Sequence, residues 1–503
     1  MSKVRGFRLH LTLWGPKFTF ISTDLESMSI VLPLVSLILW VTLTYINSHK
    51  NLPPGPKGIP FLGYLPFLGR KPHLVLTELK KKYGDILTIH IGSERVVVLS
   101  SFELIKEAML KDDNYEERPA SFCALVAAYE SQGGLFGNCA NKVQRILFRN
   151  FTKTTLRNFG MGKASLEPKI QDEISYLVNA IKMSNGKPAY LQNMIKTTIT
   201  NIICTIMYGE RMDYNNKDFQ QLIQLSGEYF RSLGINEWSQ YLPQFLANMF
   251  GIATPIDKMR LLYKKILNEV QKYDTINEGI NKQQSFIDVW RSEAMRPNSN
   301  PVDFEEEKLT QVLSELFIAG SDTTSVMLEW ALLYLIKYPI VQAKMQMEID
   351  EVIGKDKAPS MTDQKFMPYT QATILELNRI ISIAPLASKD SSLAGYHIPK
   401  NTTIYANSWA VHHDPEIFPE PESVKPERFL TENNEVKHVK ELIPFGMGKR
   451  QCIGEAMAKT QLFLYLTTLL QQFTFTAENV SVNSHFSILL QPVPQKICAA
   501  LRR

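Results

Sequence analysis

Apolar and polar positions divide the chain into a short uncharged front and a long patterned body. Residues 27–48, SMSIVLPLVSLILWVTLTYINS, carry no charge. About 20 apolar residues span the ~30 Å hydrocarbon core of a bilayer, so residues 28–48 are expected to form a membrane anchor. Trp40 and Tyr45 suit its interfaces, and His49, Lys50 and Lys57 follow it. Positive charge beside the exit favours a cytosolic body, although Lys3, Arg5, Arg8 and Lys17 pull the other way. No small-residue cleavage site of the signal-peptide kind follows the run. Residues 1–27 are basic early and lack acids until Asp24. They read either as a presequence of the mitochondrial kind or as an extension ahead of a second start at Met28. Residues 49–60 include LPPGPKGIP, in which prolines fix φ and remove donors, so a stiff extended hinge is expected.

Beyond the hinge the pattern changes period. DILTIHIGSERVVVLSS, residues 85–101, reads as two strands about a Gly-Ser turn. Leu166, Ile170, Ile174, Leu177 and Ile181 recur at helical spacing and predict an amphipathic helix. The longest helical run covers residues 304–338, with Asp303 as its cap, Glu306 completing a capping box and Pro339 ending it. A second helix over 340–352 is expected to begin directly. With no linker or repeat in sight, residues 61–503 are expected to form a single large domain, mainly α with small β-sheets.

Composition narrows the function classes. The 503 residues are 45% hydrophobic and 21% charged, which fits a packed globular core. A net charge of +5 is too small to argue for nucleic acid. The five cysteines, 123, 139, 204, 452 and 498, include no CxxC pair, so neither a disulfide framework nor a structural zinc site is expected.

Two stretches break the rules of their surroundings. The long helix is apolar almost all round its middle, as in a helix that crosses a protein's centre, yet Asp322, Thr323 and Thr324 sit there behind Ala319-Gly320. A buried unpaired carboxylate costs several kcal/mol and a helical glycine about 1 kcal/mol against alanine. One reading is a kink with a locally satisfied Asp. The other is a functional flaw: small residues admit a flat ligand, and an acid–alcohol pair relays protons. The second stretch is FGMGKRQCIG, residues 445–454, where Cys452 lies among three glycines behind two cations.

Together these motifs resemble the cytochrome P-450 superfamily of haem-thiolate monooxygenases. Phe445-x-x-Gly448-x-Arg450-x-Cys452-x-Gly454 is similar to its haem-ligand loop, and residues 319–324, AGSDTT, to its oxygen-activation motif. Glu376-x-x-Arg379 and the later Pro426-Glu427-Arg428-Phe429 resemble two further family motifs, in the family's order. The resemblance runs from the anchor onward, and the Pro-rich hinge with GYHIPKNTTIYAN, residues 395–407, is most like animal microsomal family 2 members.

The resemblance implies haem b, iron protoporphyrin IX, with Cys452 as its thiolate ligand. Gly448 and Gly454 would turn backbone N–H groups toward the sulfur, Phe445 would shield it, and Arg450 and Arg145 would pair with propionates. Ala319 and Gly320 would face the cofactor, Thr323 would hydrogen-bond bound O2, and Asp322 would bring protons. Glu376, Arg379 and Arg428 would be a buried structural lock. Electrons would come from NADPH through NADPH–cytochrome P-450 reductase, with cytochrome b5 as a further donor, docking on a basic face near Lys437, His438, Lys440, Lys449 and Lys459. The substrate would be a small hydrophobe (lipid, steroid or foreign compound) held by residues near 121–135, 219–242 and 385–388. The implied location is the endoplasmic reticulum membrane, with a mitochondrial membrane as the alternative.

Three positions depart from the pattern. Asn141 stands where a tryptophan is usual, four residues before Arg145. Residues 384–396, APLASKDSSLAGY, are shorter than expected where an Arg or His usually reaches the other propionate, leaving Lys389. Val424 replaces a usual aromatic. Two rivals stay open here: a haem-thiolate isomerase of fatty-acid peroxides, which the Asp322-Thr323 pair disfavours, and a haem-poor non-enzyme.

Overall fold

The hairpin foreseen from alternating residues forms the edge of the largest sheet. The computed structural model describes residue 36 and residues 52–92, 94–111, 142–242, 244–276, 284–297, 301–380, 386–387, 391–400 and 402–502. Ser36 apart, the expected anchor lies outside these residues, as do residues 1–27, Asn141, Lys389 and the 121–135 region. Strand β1 (Ile86–Ile91) pairs antiparallel with β2 (Glu94–Leu99), Ile86 opposite Leu99, and the turn is made at Gly92 with φ +58°.

The shortened segment supplies β3 (Leu386–Ala387), followed by the hairpin of β4 (Ser391–Leu393) and β5 (Tyr396–Ile398) and then β6 (Thr403–Ala406). The sheet order is β1-β2-β6-β3, with β2 and β6 parallel. Successive strand side chains point to opposite faces. Val97, Leu99, Ile404 and Ala406 therefore enter one apolar cluster, while Leu87, Ile89, Val96 and Val98 enter another.

The rest of the body is mainly helical, with two small antiparallel sheets near the C-terminus, Phe473–Thr476 with Cys498–Leu501 and Ser484–Phe486 with Leu490–Pro492, and residues 52–502 belong to one compact unit. The helices that frame the site are α1 (Lys142–Asn158), α2 (Glu167–Lys182), α3 (Gln192–Tyr208), α4 (Lys217–Arg231), α5 (Glu306–Lys337), α6 (Pro339–Val352), α7 (Pro368–Ile380) and α8 (Glu455–Gln472). On α2, Ile170, Ile174, Leu177 and Ile181 are all buried, with Leu166 buried just before its first turn.

Helix α5 runs through the centre and packs most heavily on α3, with α4 and α8 on other sides. Its N-cap is Glu305, not Asp303. Residues Pro301–Phe304 turn as a 3-10 segment, Asp303 accepts a hydrogen bond from Gln144 at 2.7 Å, and Glu306 pairs with Arg291 at 2.7 Å. Tertiary partners thus claim both residues of the expected capping box. Helix α6 starts on Pro339 itself, at an angle of 107° to α5. Among the described residues no single helix is long and apolar enough to cross a membrane.

Candidate active site

The Cys452 loop is shaped by close approaches. Gly446 and Gly448 both take φ +68°, a conformation open to glycine. A Cβ on Gly448 would lie 2.3 Å from the carbonyl oxygen of Met109, so this glycine lets the loop seat against the 107–111 turn. The Cys452 N–H donates to the Phe445 carbonyl at 3.0 Å, and Gln451 N–H to Gly448 at 3.1 Å. Gly454 caps α8, which places the backbone N–H groups of Gly454 and Glu455 where they favour a thiolate at Cys452.

A sulfur at a helix N-terminus sees unsatisfied donors and the positive end of the dipole. Burial pushes the thiol up and Glu455 adds to that, while the two N–H groups and Arg149 pull it down. The net direction is upward, and a coordinating metal ion reverses it, since a bound thiol loses its proton outright. Cys452 is exposed by surface area because it faces a cavity, not bulk solvent.

That cavity has a volume of about 330 Å³. Phe445, Gly454, Arg450 and Cys452 line it on one side, with Ala319, Gly320 and Thr323 of α5, and Ile203, Tyr229 and Phe230 contributing apolar walls. Of the substrate regions named from sequence, the 219–242 stretch reaches the cavity through Tyr229, Phe230 and Leu233.

Three site residues have surroundings that the sequence did not foresee. Arg145 is buried but is not among the lining residues; Arg149, four residues on along α1, is. Arg149 Nη2 donates to the Gln451 carbonyl, and its charge is felt at Cys452. Helix periodicity puts both arginines on one face, and that was the available signal for Arg149. Gly320 lines the cavity, yet a Cβ there would meet Ile203 Cδ1 at 2.5 Å. Its missing side chain thus also serves the crossing of α5 over α3, beside the cavity face expected from sequence.

Asp322 is 3% exposed and is not a lining residue. Lys196 Nζ lies 2.5 Å from its Oδ1, and Ser226 donates to Oδ2. Neither partner was foreseen, for no local pattern links α3 and α4 to α5. Thr323 faces the cavity and its hydroxyl donates to the Ala319 carbonyl at 2.6 Å.

Away from the cavity, Arg379 grips Glu376 with both arms, Nε to Oε2 at 2.8 Å and Nη2 to Oε1 at 2.9 Å. Arg428 Nε reaches the same carboxylate at 3.1 Å. The Glu376 and Arg379 side chains are fully buried. Arg379 also donates to the carbonyls of His412 and Pro421, fixing α7 to the segment that carries Pro426–Phe429. Lys437, His438, Lys440, Lys449 and Lys459 are all exposed, Lys459 pairing with Glu455 at 2.6 Å.

Residues 53–499 match the family described as Cytochrome P-450. The chain is 35% identical over 491 residues to cytochrome P-450 2J5 of Mus musculus, covering 95% of this chain and 97% of the relative. It is 35% identical over 488 residues to cytochrome P-450 2J2 of Homo sapiens, covering 94% and 95%. Cytochrome P-450 2U1 of Homo sapiens is 34% identical over 516 residues, covering 93% and 92%. A match this continuous, over a body whose cysteine loop opens on an apolar cavity, shows that the chain belongs to the cytochrome P-450 family and is a monooxygenase of the oxidoreductase class.

Proposed function

We propose that this enzyme inserts one atom of O2 into a small hydrophobic substrate, with haem b on Cys452 and electrons from NADPH through NADPH–cytochrome P-450 reductase. The observation that carries the reading is Cys452, which lines an apolar cavity and sits just ahead of the first turn of α8. The donor set fits a haem: a thiol on the wall, guanidinium groups of Arg149 and Arg450 beside it, and apolar side chains over the rest. When bound, the haem supplies O2 activation and one-electron chemistry.

The chain's own residues divide the remaining work. Gly454 and Glu455 N–H groups stabilise thiolate charge, as outer hydrogen bonds do at metal ligands. Arg450 and Arg149 would take the cofactor's carboxylates, their planar forks matching that geometry. Arg145 would stand behind Arg149, the assignment moving one turn along α1. Thr323, whose proton is already given to Ala319, offers the cavity an acceptor and passes on a proton that Asp322 brings. Ile203, Tyr229 and Phe230 exclude water and favour an apolar substrate. Glu376, Arg379 and Arg428 hold the fold and touch no reacting atom.

Residues 28–48 would anchor the protein in the endoplasmic reticulum membrane, residues 49–60 would space it from the bilayer, and residues 61–503 would be the cytosolic catalytic domain; the uncharged 27–48 run and the family 2 relatives support this. The exposed Lys437–Lys459 cations support docking of an acidic electron donor, with cytochrome b5 a second candidate. Reduction of the purified full-length protein under CO tests the ligand assignment. A strongly red-shifted Soret band is expected, lost in Cys452→Ala, and a folded wild type without it refutes the reading. Thr323→Ala should divert NADPH to peroxide; fully coupled turnover in that variant removes the relay.

A further inference from the structure

The turn between the C-terminal strands Ser484–Phe486 and Leu490–Pro492 is gripped from several sides. Ile488 and Leu489, at its tip, line the cavity that Cys452 opens on. The position of this turn therefore shapes what the cavity accepts. Ser487 closes it, its N–H donating to the Leu489 carbonyl at 2.9 Å. Trp330 of α5 fixes one strand by donating to the Leu490 carbonyl at 2.7 Å. The segment after α4 presses the other strand, for a Cβ on Gly234 would lie 3.0 Å from the Phe486 carbonyl oxygen. The Phe486 ring itself lies flat on that of His73, with centroids 5.5 Å apart and 9° between the planes.

His73 belongs to the helix Pro72–Tyr83, at the far end of the chain from this turn. Its ring is 5% exposed and also meets Trp409 edge to face at 4.6 Å. Trp409 in turn stacks on His413 at 3.6 Å. Four rings thus run from the turn to the short helix Ser408–His412, and Arg379 of the buried lock donates to the His412 carbonyl at 2.7 Å. The pile gives the turn a backing that ends on the Glu376–Arg379 pair.

Stacking alone would be served by phenylalanine, so the nitrogens of His73 need a separate reason. Burial lowers its pKa from 6.5 to about 4, with Lys71 adding to the shift, and the ring is neutral at cellular pH. A neutral imidazole presents one donor and one acceptor, and Nδ1 meets no hydrogen-bond partner among the described residues. Beside the ring is a hole of about 10 Å³. Its walls include Tyr405, Asn407 and Ser408, together with the same Ile488 and Leu489 that line the main cavity. A single water needs roughly 10–15 Å³ of such space and two to four polar partners.

We infer that His73 is a positioning residue for the substrate wall: its ring backs Phe486, and its Nδ1 holds one water molecule in the hole behind the turn, so that Ile488 and Leu489 keep their place in the cavity. The inference rests on the reading of this cavity as the substrate site. His73 lies outside the cavity lining and touches no substrate. A ligand that fills only the space near Cys452 should not sense the turn, whereas a longer one that reaches Ile488 should.

The test uses full-length ferric holoenzyme and two probes read by their Soret shift, imidazole and N-dodecylimidazole. His73→Ala should weaken the long probe severalfold and leave imidazole unchanged. Ile488→Ala should do the same, and the double variant should lose little more than either single one, because both act through one wall. A second measurement needs no haem ligand. Amide exchange across residues 484–492 should quicken severalfold in His73→Ala while residues 306–337 keep their protection. His73→Phe, which keeps the stack and loses the nitrogens, should fall between the two. A crystal structure of the wild type should show one water at hydrogen-bond distance from Nδ1.

Equal loss for both probes, or additive losses in the double variant, would make His73 a general support of the fold and overturn the inference. Unchanged exchange at 484–492 overturns it too. A well-ordered crystal structure with no water beside Nδ1 refutes the water bridge. Should His73→Ala fail to accumulate, Phe486→Leu decides, since it removes the same stack from the other side; wild-type probe selectivity and exchange in that variant overturn the inference. If the wild type lacks the red-shifted CO band, the haem reading fails, and the exchange measurement still judges His73 by itself.

Discussion

The guanidinium of Arg149 donates to the backbone carbonyl of Gln451, the residue just before Cys452. This bond ties α1 to the cysteine loop and leaves a cation beside the sulfur, where it opposes the effect of burial on the thiol. Arg145, one turn earlier, is buried outside the cavity lining. Arg149→Leu is therefore expected to weaken cofactor retention roughly tenfold or more, the scale of lost outer-shell support at metal sites, and Arg145→Leu to do less. Transfer of haem to an excess of apomyoglobin measures both. Equal loss, or greater loss in the Arg145 variant, would return the role to Arg145.

Breaking the Glu376–Arg379 pair strands a charge that has no route to water, because both side chains are fully buried. Glu376→Ala leaves Arg379 with only carbonyl partners and removes the partner of Arg428 Nε. A loss of about 3–5 kcal/mol is expected, enough to remove most folded protein at growth temperature. Arg428→Ala should cost less, since the Arg379 fork remains and Arg428 is 11% exposed. Denaturant unfolding followed by tryptophan fluorescence ranks the variants, and the reverse order would contradict the geometry.

Gly320 supplies a test in which two neighbours must change together. Alanine there gains about 1 kcal/mol in helix propensity, but its Cβ would sit 2.5 Å from Ile203 Cδ1 and 2.7 Å from Cγ1. Overpacking of this kind costs about 1–3 kcal/mol, so Gly320→Ala should destabilise. Adding Ile203→Ala removes the clash, so the double variant should be more stable than the sum of the single effects. Thermal unfolding of the four proteins in the cycle decides; simple additivity would mean that the small residue answers to the cavity and not to α3.

Legibility followed the range of the interactions. The cysteine loop could be read because its glycines, arginine and cysteine act within ten consecutive residues. The α2 stripe and the β1–β2 hairpin could be read because burial imprints a period on the sequence. The capping box at Asp303 failed because Gln144 and Arg291 compete for its two residues, and no local rule weighs distant partners. Arg145 and Arg149 share a helix face, so periodicity alone could not choose the turn that meets the cavity. The Lys196–Asp322 pair spans 126 positions and left only one trace, Gly227 inside α4, where a Cβ would lie 2.8 Å from Lys196 Nζ. The membrane anchor stands on composition, outside the described residues.

Glu329, on α5 two turns beyond Asp322, makes stability depend on pH. Its acid is raised in the folded protein to about 8 from an ordinary 4.5, chiefly by burial. Between those values the folded state holds a proton that the unfolded state has released. Stability must then fall as pH rises from about 4.5 to about 8 and level off above, where both states are ionised. Glutamine has nearly the same shape and no proton to lose. Glu329→Gln should therefore match wild type in stability below about pH 4 and become relatively more stable as pH rises, with the gap ceasing to grow past about 8. Denaturant titrations at several pH values measure that gap directly. A gap that stays constant with pH would mean that Glu329 is ionised in the folded state throughout.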